Sequence, residues 1–419
     1  MGTELLSKIH GEQVSGSGTG ALAGKRVLIV LPTLELGGAE RLALHLAEYL
    51  TQTEKAQVHV WGLMKYGDKP GGRVAEMCDL RGLPWRNLNF AWPGGRLATF
   101  KRSFSLAQLS HDLKRFSPYV ILAYTPLVNV ICGLVWRWSG ARLCVWNQMS
   151  SAVEEVSHRM SLWASRLTPL FLSNSEHGAE FLAKRLGVDP SRIHLVRNGV
   201  RIEHSAWEPG SLRKDLGVSE ACILVCMVAN LSEYKDHATL LRAWREVLDA
   251  SRRKTVLLLS GRFDGTTEFL KALAYDLDLG ESVRFLGPGK INEVWSILRQ
   301  VDLGVFSSRA EGCPNGVLES MALGLPVAGT DIPGIREAVG PEGYEFLAPV
   351  ADHVALADRM LKLIHDRDLR ERIGKLNKDR IQKCFSVGRM CEDTVRIMTT
   401  HLVGRPSNRG HAGLNEKIE

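Results

Sequence analysis

Short apolar runs recur along the chain, separated by polar turns and by longer stretches with helical apolar spacing. Arg26–Leu31 is the first, followed by Gln57–Met64, Trp85–Asn89, Tyr119–Ala123, Arg142–Trp146, Pro169–Leu172 and Ile193–Val196. These runs are mostly continuous rather than alternating, the pattern of strands covered on both faces in a parallel sheet. Helical spacing fills the gaps, after Leu42 to about Leu50, over Arg96–Phe116 and over Leu127–Trp138. Lys65–Leu83, with Gly67, Pro70, Gly71 and Gly72, reads as a long loop. After a polar, Pro-containing linker at Arg201–Gly210 the alternation restarts, with strands expected at Ile223–Val228, Thr255–Ser260, Val283–Leu286, Leu303–Phe306, Pro326–Gly329 and Tyr344–Leu347. Helices are expected at His237–Ala250, Val317–Leu323 and Val387–Val403. Two successive βα series predict an α/β architecture of two doubly wound, Rossmann-like domains facing across a cleft. The boundaries read as a Gly/Ser-rich flexible lead-in (1–24), a first domain (25–205), a second (206–385), a final helix (386–403) and a polar tail (404–419).

Composition changes this picture little. The chain has 419 residues, 45% of them hydrophobic and 24% charged, ordinary for globular domains. Its eight cysteines form no C-x-x-C pair, which favours reduced core thiols in a cytosolic setting. No apolar signal core opens the sequence, and Leu6 stands where a myristoylation signal wants Ser or Thr. Tyr119–Trp136 carries no charge, but Pro126, Asn129 and Gly133 interrupt it, so strand, turn and helix fit better than a membrane span.

Charge is more informative. The net value is +7, yet residues 25–205 hold 23 Lys/Arg against 14 Asp/Glu, while residues 206–419 hold 29 against 30. A basic first half fits an anionic acceptor, an anionic membrane surface or a solvated basic face. Trp85, Phe90, Trp92, Phe100 and Phe104 interleave with Arg86, Arg96, Lys101 and Arg102. That mixture suits a membrane interface, a sugar-lined groove, or a helix with its aromatics in the core. No nucleic-acid-binding motif accompanies it.

Candidate chemistry concentrates in Ser308–Glu319, which reads as strand, glycine-bearing loop and helix. Pro314 suits a first helical position, because its missing N–H would be unpaired there anyway. The free N–H groups near Asn315, Gly316 and Val317 then converge with the positive end of the helix dipole, a site for phosphate. Glu311 precedes the helix, and Glu319 lies about 6 Å along it. Sugar, diphosphate and ribose diol of a nucleotide-sugar match these three parts. Two Asp-x-Asp triplets, Asp276-Leu277-Asp278 and Asp366-Arg367-Asp368, sit near helix ends and follow no strand, so no metal site is expected.

Glu311-x7-Glu319, with Pro314-Asn315-Gly316 between and Glu-Ser-Met-Ala-Leu-Gly-Leu-Pro-Val after it, closely resembles the donor motif of the retaining glycosyltransferase family 4. Gly37-Gly38-Ala39-Glu40-Arg41, Ser173-Asn174-Ser175-Glu176 and Val196-Arg197-Asn198-Gly199-Val200 match recurring segments of the same family. The resemblance covers about Lys25 to Val403. It implies the two-domain GT-B fold, with the last helix crossing back onto the first domain. It also implies that Glu311 contacts the donor sugar and that the loop and helix start at Cys313, Pro314, Asn315, Gly316 and Val317 cradle the sugar and diphosphate. Glu319 would hold the ribose, Gly37 and Gly38 would face the diphosphate across the cleft, and Asn198 would enter the cleft. Lys235 would grip the diphosphate and, with Glu311, serve catalysis.

This sequence departs from the family in three places. Asn230 stands where the family's Gly-Arg-Leu-x-x-x-Lys-Gly has Arg, and Asp236 where it has Gly; Arg262 or Arg309 are candidate substitutes for the lost charge. No His accompanies Tyr124, leaving Tyr124, Thr125, Asn147 and Gln148 as polar candidates on the acceptor side. The implied activity is metal-independent, cofactor-free, retaining transfer from a nucleotide-diphosphate sugar, expected to be UDP-linked. The expected acceptor is a lipid-linked saccharide or polysaccharide at the cytoplasmic membrane face. A nucleotide-sugar epimerase and a non-catalytic nucleotide-sugar-binding subunit are the alternatives.

Overall fold

Continuous apolar strands need cover on both faces, and the two sheets receive it from flanking helices. The computed structural model describes residues 20–65, 71–92, 98–149, 157–202, 211–287 and 291–403. Lead-in residues 1–19, residues 66–70 of the expected loop, Arg96, linker residues 203–210 and the tail 404–419 lie outside the described residues. The first sheet contains β1 (Arg26–Leu31), β2 (Gln57–Gly62), β3 (Trp85–Asn87), β4 (Val120–Tyr124), β5 (Leu143–Gln148), β6 (Leu170–Ser173) and β7 (Ile193–Leu195). All pair in parallel, in the order β3-β2-β1-β4-β5-β6-β7. Every residue of β4 and β5 is buried, as their unbroken apolar runs require.

The second sheet contains β8 (Ile223–Val228), β9 (Thr255–Ser260), β10 (Val283–Gly287), β11 (Leu303–Phe306), β12 (Val327–Thr330) and β13 (Leu347–Ala348). Its order is β10-β9-β8-β11-β12-β13, again parallel. This is the GT-B arrangement of two Rossmann-like lobes. The helix Val387–Val403 returns to the first lobe, where Val387, Met390, Cys391, Val395 and Met398 join Val27, Leu31 and Leu46 in one core. Full burial of such side chains contributes about 1.5–3 kcal/mol each, enough to fix the crossing. Beside it the outgoing chain passes close, Val200 N–H donating to the Phe385 carbonyl at 2.8 Å.

Four local expectations change. Within Lys65–Leu83 the residues Arg73–Leu80 form a helix that buries Val74, Ala75 and Cys78; Gly71 and Gly72, read as loop residues, lead straight into it. Tyr344–Leu347 is not a strand: Pro341–Phe346 winds as a 3-10 turn, and only Leu347–Ala348 pairs. The helix expected at Leu127–Trp138 starts at Pro126, ends at Val135 and tightens into a 3-10 turn over Trp136–Ser139. Leu22, in the expected lead-in, is fully buried in the first-lobe core. Among the described residues no helix is long and apolar enough to cross a membrane.

Two buried histidines make stability depend on pH. His45, inside the helix Gly38–Gln52, is pushed down to about 3 by burial, aided by the Arg201, Arg81 and Arg41 charges. His237, opening the helix His237–Ala250, is pushed down to about 4 by burial and by Lys235, against Asp236. Below about pH 6.5 the unfolded chain takes protons that the folded chain refuses, so each histidine removes about 1.4 kcal/mol per pH unit down to its folded value. Burial raises Glu40 and Glu337, whose contribution runs the opposite way. The histidine part is therefore read by comparison. We expect the fall in melting temperature between pH 6.5 and 4.5 to be shallower in His45→Leu than in the natural chain; equal slopes would refute it.

Candidate active site in the interlobe cleft

In a parallel sheet the loops at a reversal of strand order diverge and leave a crevice. The second sheet reverses between β8 and β11, which brings the loop Ala229–Asp236 beside the loop Ser307–Pro314. The first sheet reverses between β1 and β4, exposing the loop after β1 and Thr125 at the end of β4. A cavity of about 450 Å3 lies between the lobes. Gly37, Gly38, Arg41, Arg73, Asn174 and Asn198 line it from the first lobe. Asn230, Lys235, Arg262, Glu311, Cys313, Pro314, Asn315, Gly316 and Glu319 line it from the second.

Pro314 caps the helix Asn315–Ala322 rather than opening it. The first bond runs from Leu318 N–H to the Pro314 carbonyl at 3.2 Å, leaving the amides of Asn315, Gly316 and Val317 without helical acceptors. Val317 buries its side chain in the core, so only its amide can serve the cleft. Gly316 has no room for a side chain: a Cβ would lie 2.4 Å from the Val228 carbonyl oxygen. At Gly38 a Cβ would lie 2.4 Å from Asn315 Nδ2, so the helix starts Gly38 and Asn315 abut across the cleft.

Glu311 is bonded by Lys235 and by Ser308 Oγ, the latter at 2.9 Å. Ser307 Oγ donates to the Lys235 carbonyl at 3.0 Å, which fixes the lysine backbone beside that loop. Glu319 is only 3% exposed and takes Arg41, from the opposite lobe, as its ion-pair partner. Asn198 Nδ2 donates to the Cys313 carbonyl at 3.1 Å and to Asn315 Oδ1 at 3.0 Å, a second tie between lobes. Arg197 Nε bonds Glu337 Oε1 at 2.9 Å, and the Glu176 amide reaches Glu337 Oε2 at 3.2 Å, making a third. Burial pushes the Cys313 thiol up to about 12, so it is a neutral packing group rather than a nucleophile.

The departures acquire physical reasons here. Asp236 has φ +51°, the left-handed conformation that favours glycine and that Asp tolerates. Its carboxylate accepts from Thr239 N–H and Thr239 Oγ1 and holds Arg309 Nε at 2.9 Å. Arg309 is therefore tied to Asp236 and does not line the cavity, whereas Arg262 does. Asn230 Oδ1 accepts the Arg262 amide at 3.2 Å, and Arg262 Nε pairs with Asp264 at 2.8 Å.

The four acceptor-side candidates divide. Tyr124 and Asn147 line a separate space of about 30 Å3 with Asn174 and Asn198, room for about one water molecule. Asn147 Nδ2 donates to the Ala123 carbonyl, and Gln148 Oε1 accepts from Trp146 Nε1, so both brace the strands. Thr125 has φ +75°, strain of about 1–3 kcal/mol stored at the reversal point of the first sheet. Sequence reasoning quoted Arg41 and Asn174 within motifs without giving either a role, and missed Arg73. Asn174 Oδ1 is buried with no partner and lies 3.0 Å from where a Cβ on Gly312 would stand. The segment Ser173-Asn174-Ser175-Glu176 is recognisable as a family-like motif, but only the fold aims Asn174 at the loop Ser307–Pro314. Asp366 caps the helix Arg367–Cys384, and among the described residues no group of three or more His, Cys, Asp or Glu is placed to hold a metal.

Known proteins resemble both halves of the chain. The family model described as Glycosyltransferase Family 4 matches residues 36–204, and that described as Glycosyl transferases group 1 matches residues 211–380. A D-inositol 3-phosphate glycosyltransferase of Corynebacterium efficiens is 28% identical over 48% of this chain and 50% of its own. A UDP-Gal:alpha-D-GlcNAc-diphosphoundecaprenol alpha-1,3-galactosyltransferase of Escherichia coli is 24% identical over 65% of this chain and 73% of its own. The chain spans about half the length of the first curated relatives it matches. The crystal structure of Anabaena HepE with UDP and glucose superposes with a TM-score of 0.75 at 19% identity, over 90% of this chain and 100% of that one.

The interlobe ties have a measurable consequence. Asn198→Ala removes two neutral hydrogen bonds of about 1 kcal/mol each that span the cleft. We expect solution X-ray scattering to report a larger radius of gyration for Asn198→Ala than for the natural chain, with the melting temperature little changed. Superimposable scattering curves would show that Asn198 does not hold the lobes.

Proposed function

The chain belongs to glycosyltransferase family 4, and we propose that it is a retaining glycosyltransferase that moves a sugar from a nucleotide-diphosphate sugar, UDP-linked, to a saccharide acceptor. One observation carries this reading: Glu311 and Glu319 flank a helix N-terminus with free amides, Lys235 is bonded to Glu311, and all line one interlobe cavity. The cavity volume falls in the range of small-molecule sites. In the proposed pose the sugar hydroxyls meet Glu311, the diphosphate lies against the amides of Asn315, Gly316 and Val317, and the ribose diol is held by Glu319. Gly37 and Gly38 close over the diphosphate.

Transfer breaks the bond between the anomeric carbon and the diphosphate oxygen. The acceptor oxygen bonds the same face, and its proton passes to the departing phosphate oxygen. Charge grows on the leaving diphosphate, and cations or dipoles already aimed there lower the barrier most. Lys235, Arg262 and the starts of the helices Gly38–Gln52 and Asn315–Ala322 supply that charge from protein groups, so no metal is required. The lobes, tied across the cleft by Asn198 and Arg197, limit water at the anomeric carbon.

For the acceptor we infer a lipid-linked or phosphorylated saccharide at the cytoplasmic face of an anionic membrane. The named acceptors of the relatives, inositol 3-phosphate and a diphosphoundecaprenol saccharide, support this class. So do the net +9 of residues 25–205 and the exposed Phe100, Phe104, Trp138 and Trp163 of the first lobe. UDP in the superposed Anabaena structure and in the galactosyltransferase's name supports a uridine donor.

Thermal-shift screening against nucleotide-sugars tests the donor. UDP-sugars should raise the melting temperature, a ligand at a hundred times its Kd adding about 2.7 kcal/mol. Glu319→Ala should abolish most of the shift, since charge-assisted hydrogen bonds contribute about 1.5–3 kcal/mol; an unchanged shift refutes the ribose assignment. With donor and acceptor in hand, EDTA should leave the transfer rate unchanged, and full loss restored by a divalent cation would overturn the metal-independent scheme.

A further inference from the structure

We propose that Arg41 is a donor-responsive cation, which neutralises Glu319 until a nucleotide ribose takes that carboxylate and then turns to the diphosphate. The inference rests on the assignment of Glu319 to the ribose diol. Glu319 is almost fully buried, and a buried carboxylate without a partner is costly. Arg41 meets that need from the other lobe, through Nη1 on Oε1. A diol donating two hydrogen bonds to one carboxylate competes for the same oxygen atoms. Donor binding therefore releases a guanidinium inside the cleft.

Several features point the released group at the diphosphate. Arg41 stands in the first turn of the helix Gly38–Gln52, where the dipole disfavours a cation and favours an anion. Its helix start abuts Asn315, the first residue of the helix whose amides face the same cavity. Arg41 Nε is buried and has no hydrogen-bond partner, so the pair with Glu319 leaves part of the guanidinium fork unused. A diphosphate offers several oxygen acceptors to that fork. The chain also has Asn230 rather than an arginine in the loop after β8, and Arg309 is tied to Asp236. Arg41 is the guanidinium already inside the cleft that ribose binding itself would free. Ribose recognition and charge neutralisation would then be one coupled event, and a nucleoside lacking phosphates would break the Arg41–Glu319 pair with nothing in return.

Calorimetric titration with uridine and with UDP tests this in the natural chain, Arg41→Met and Glu319→Gln. Arg41→Met should bind uridine several-fold more tightly, because the competitor is gone. It should bind UDP about tenfold more weakly, because a charged contact to the diphosphate is lost. A purely structural arginine would not split the two ligands in opposite directions. If Arg41→Met weakens both ligands or alters neither, while Glu319→Gln weakens both, the proposal fails and the ribose assignment stands. If Glu319→Gln leaves both affinities at the natural values, the ribose assignment itself has failed. Should Arg41→Met not fold, Arg41→Lys decides. Tighter uridine with weaker UDP supports the proposal, and parallel or absent changes overturn it.

Discussion

Two carboxylates in the interlobe cleft, Glu311 and Glu319, impose the constraint on which the site depends. Neither is well hydrated, so each requires a cation or a set of hydrogen-bond donors in place. For Glu311 the solution is local: Lys235 and Ser308 come from loops that the β8/β11 reversal sets side by side. For Glu319 the solution is distant, because Arg41 belongs to the other sheet. Charge balance within the site and the relative position of the lobes are therefore one problem. A change that separates the lobes takes Arg41 from Glu319, and a ligand that competes for Glu319 loosens one of the ties between them.

Backbone proximity narrows that geometry further. Gly316 sits against the Val228 carbonyl with no space for a Cβ, and at Gly38 a Cβ would have to displace the Asn315 side-chain amide. These contacts bring two helix N-termini toward one cavity from opposite sides, so their dipoles add where an anion would lie. Asn198 then joins the two parts, because its amide reaches both the Cys313 carbonyl and Asn315. Each of these two neutral bonds is worth about 1 kcal/mol. They act beside the Arg41–Glu319 and Arg197–Glu337 ion pairs and the returning helix Val387–Val403, so the lobes are held by contacts of several kinds.

The fold was legible in the sequence because buried parallel strands leave a signal in single runs of residues. Twelve of the thirteen expected strands fell where apolar runs lay, and Tyr344–Leu347 failed because a proline and a glycine turned the chain before it could pair. The helix Arg73–Leu80 was hidden for a related reason: glycines lead into it, and its eight residues show barely two turns of pattern. Glu311, Asn315, Gly316 and Glu319 could be grouped from the sequence because they share one loop and helix, and all four line the cavity. Arg41, Arg73 and Asn174 were not, since their meaning depends on what lies across the cleft, which no local spacing encodes. Asn147 and Gln148 show the converse. Polar residues at strand ends looked available, yet one braces a neighbouring strand and the other accepts from Trp146.

In the proposed donor pose, the departures at Asn230 and Asp236 both bear on how charge would reach the diphosphate. A glycine at position 236 would accept φ +51° freely and leave Arg309 without its carboxylate. The aspartate instead caps the following helix and fixes Arg309 outside the cavity, so that arginine is removed as a replacement for the one absent at position 230. Asn230 meanwhile spends its side-chain oxygen on the Arg262 amide, which sets the backbone of the next candidate cation but not its guanidinium, paired with Asp264. In the proposed pose, charge that a single arginine would have concentrated after β8 would thus be spread over Lys235, the backbone-anchored Arg262 and the opposite lobe. Spread across the cleft in this way, the proposed cradle would be complete only when the lobes are together. Under the proposed function, holding the lobes together would then be a condition for stabilising the leaving group, rather than a cover placed over a site already assembled.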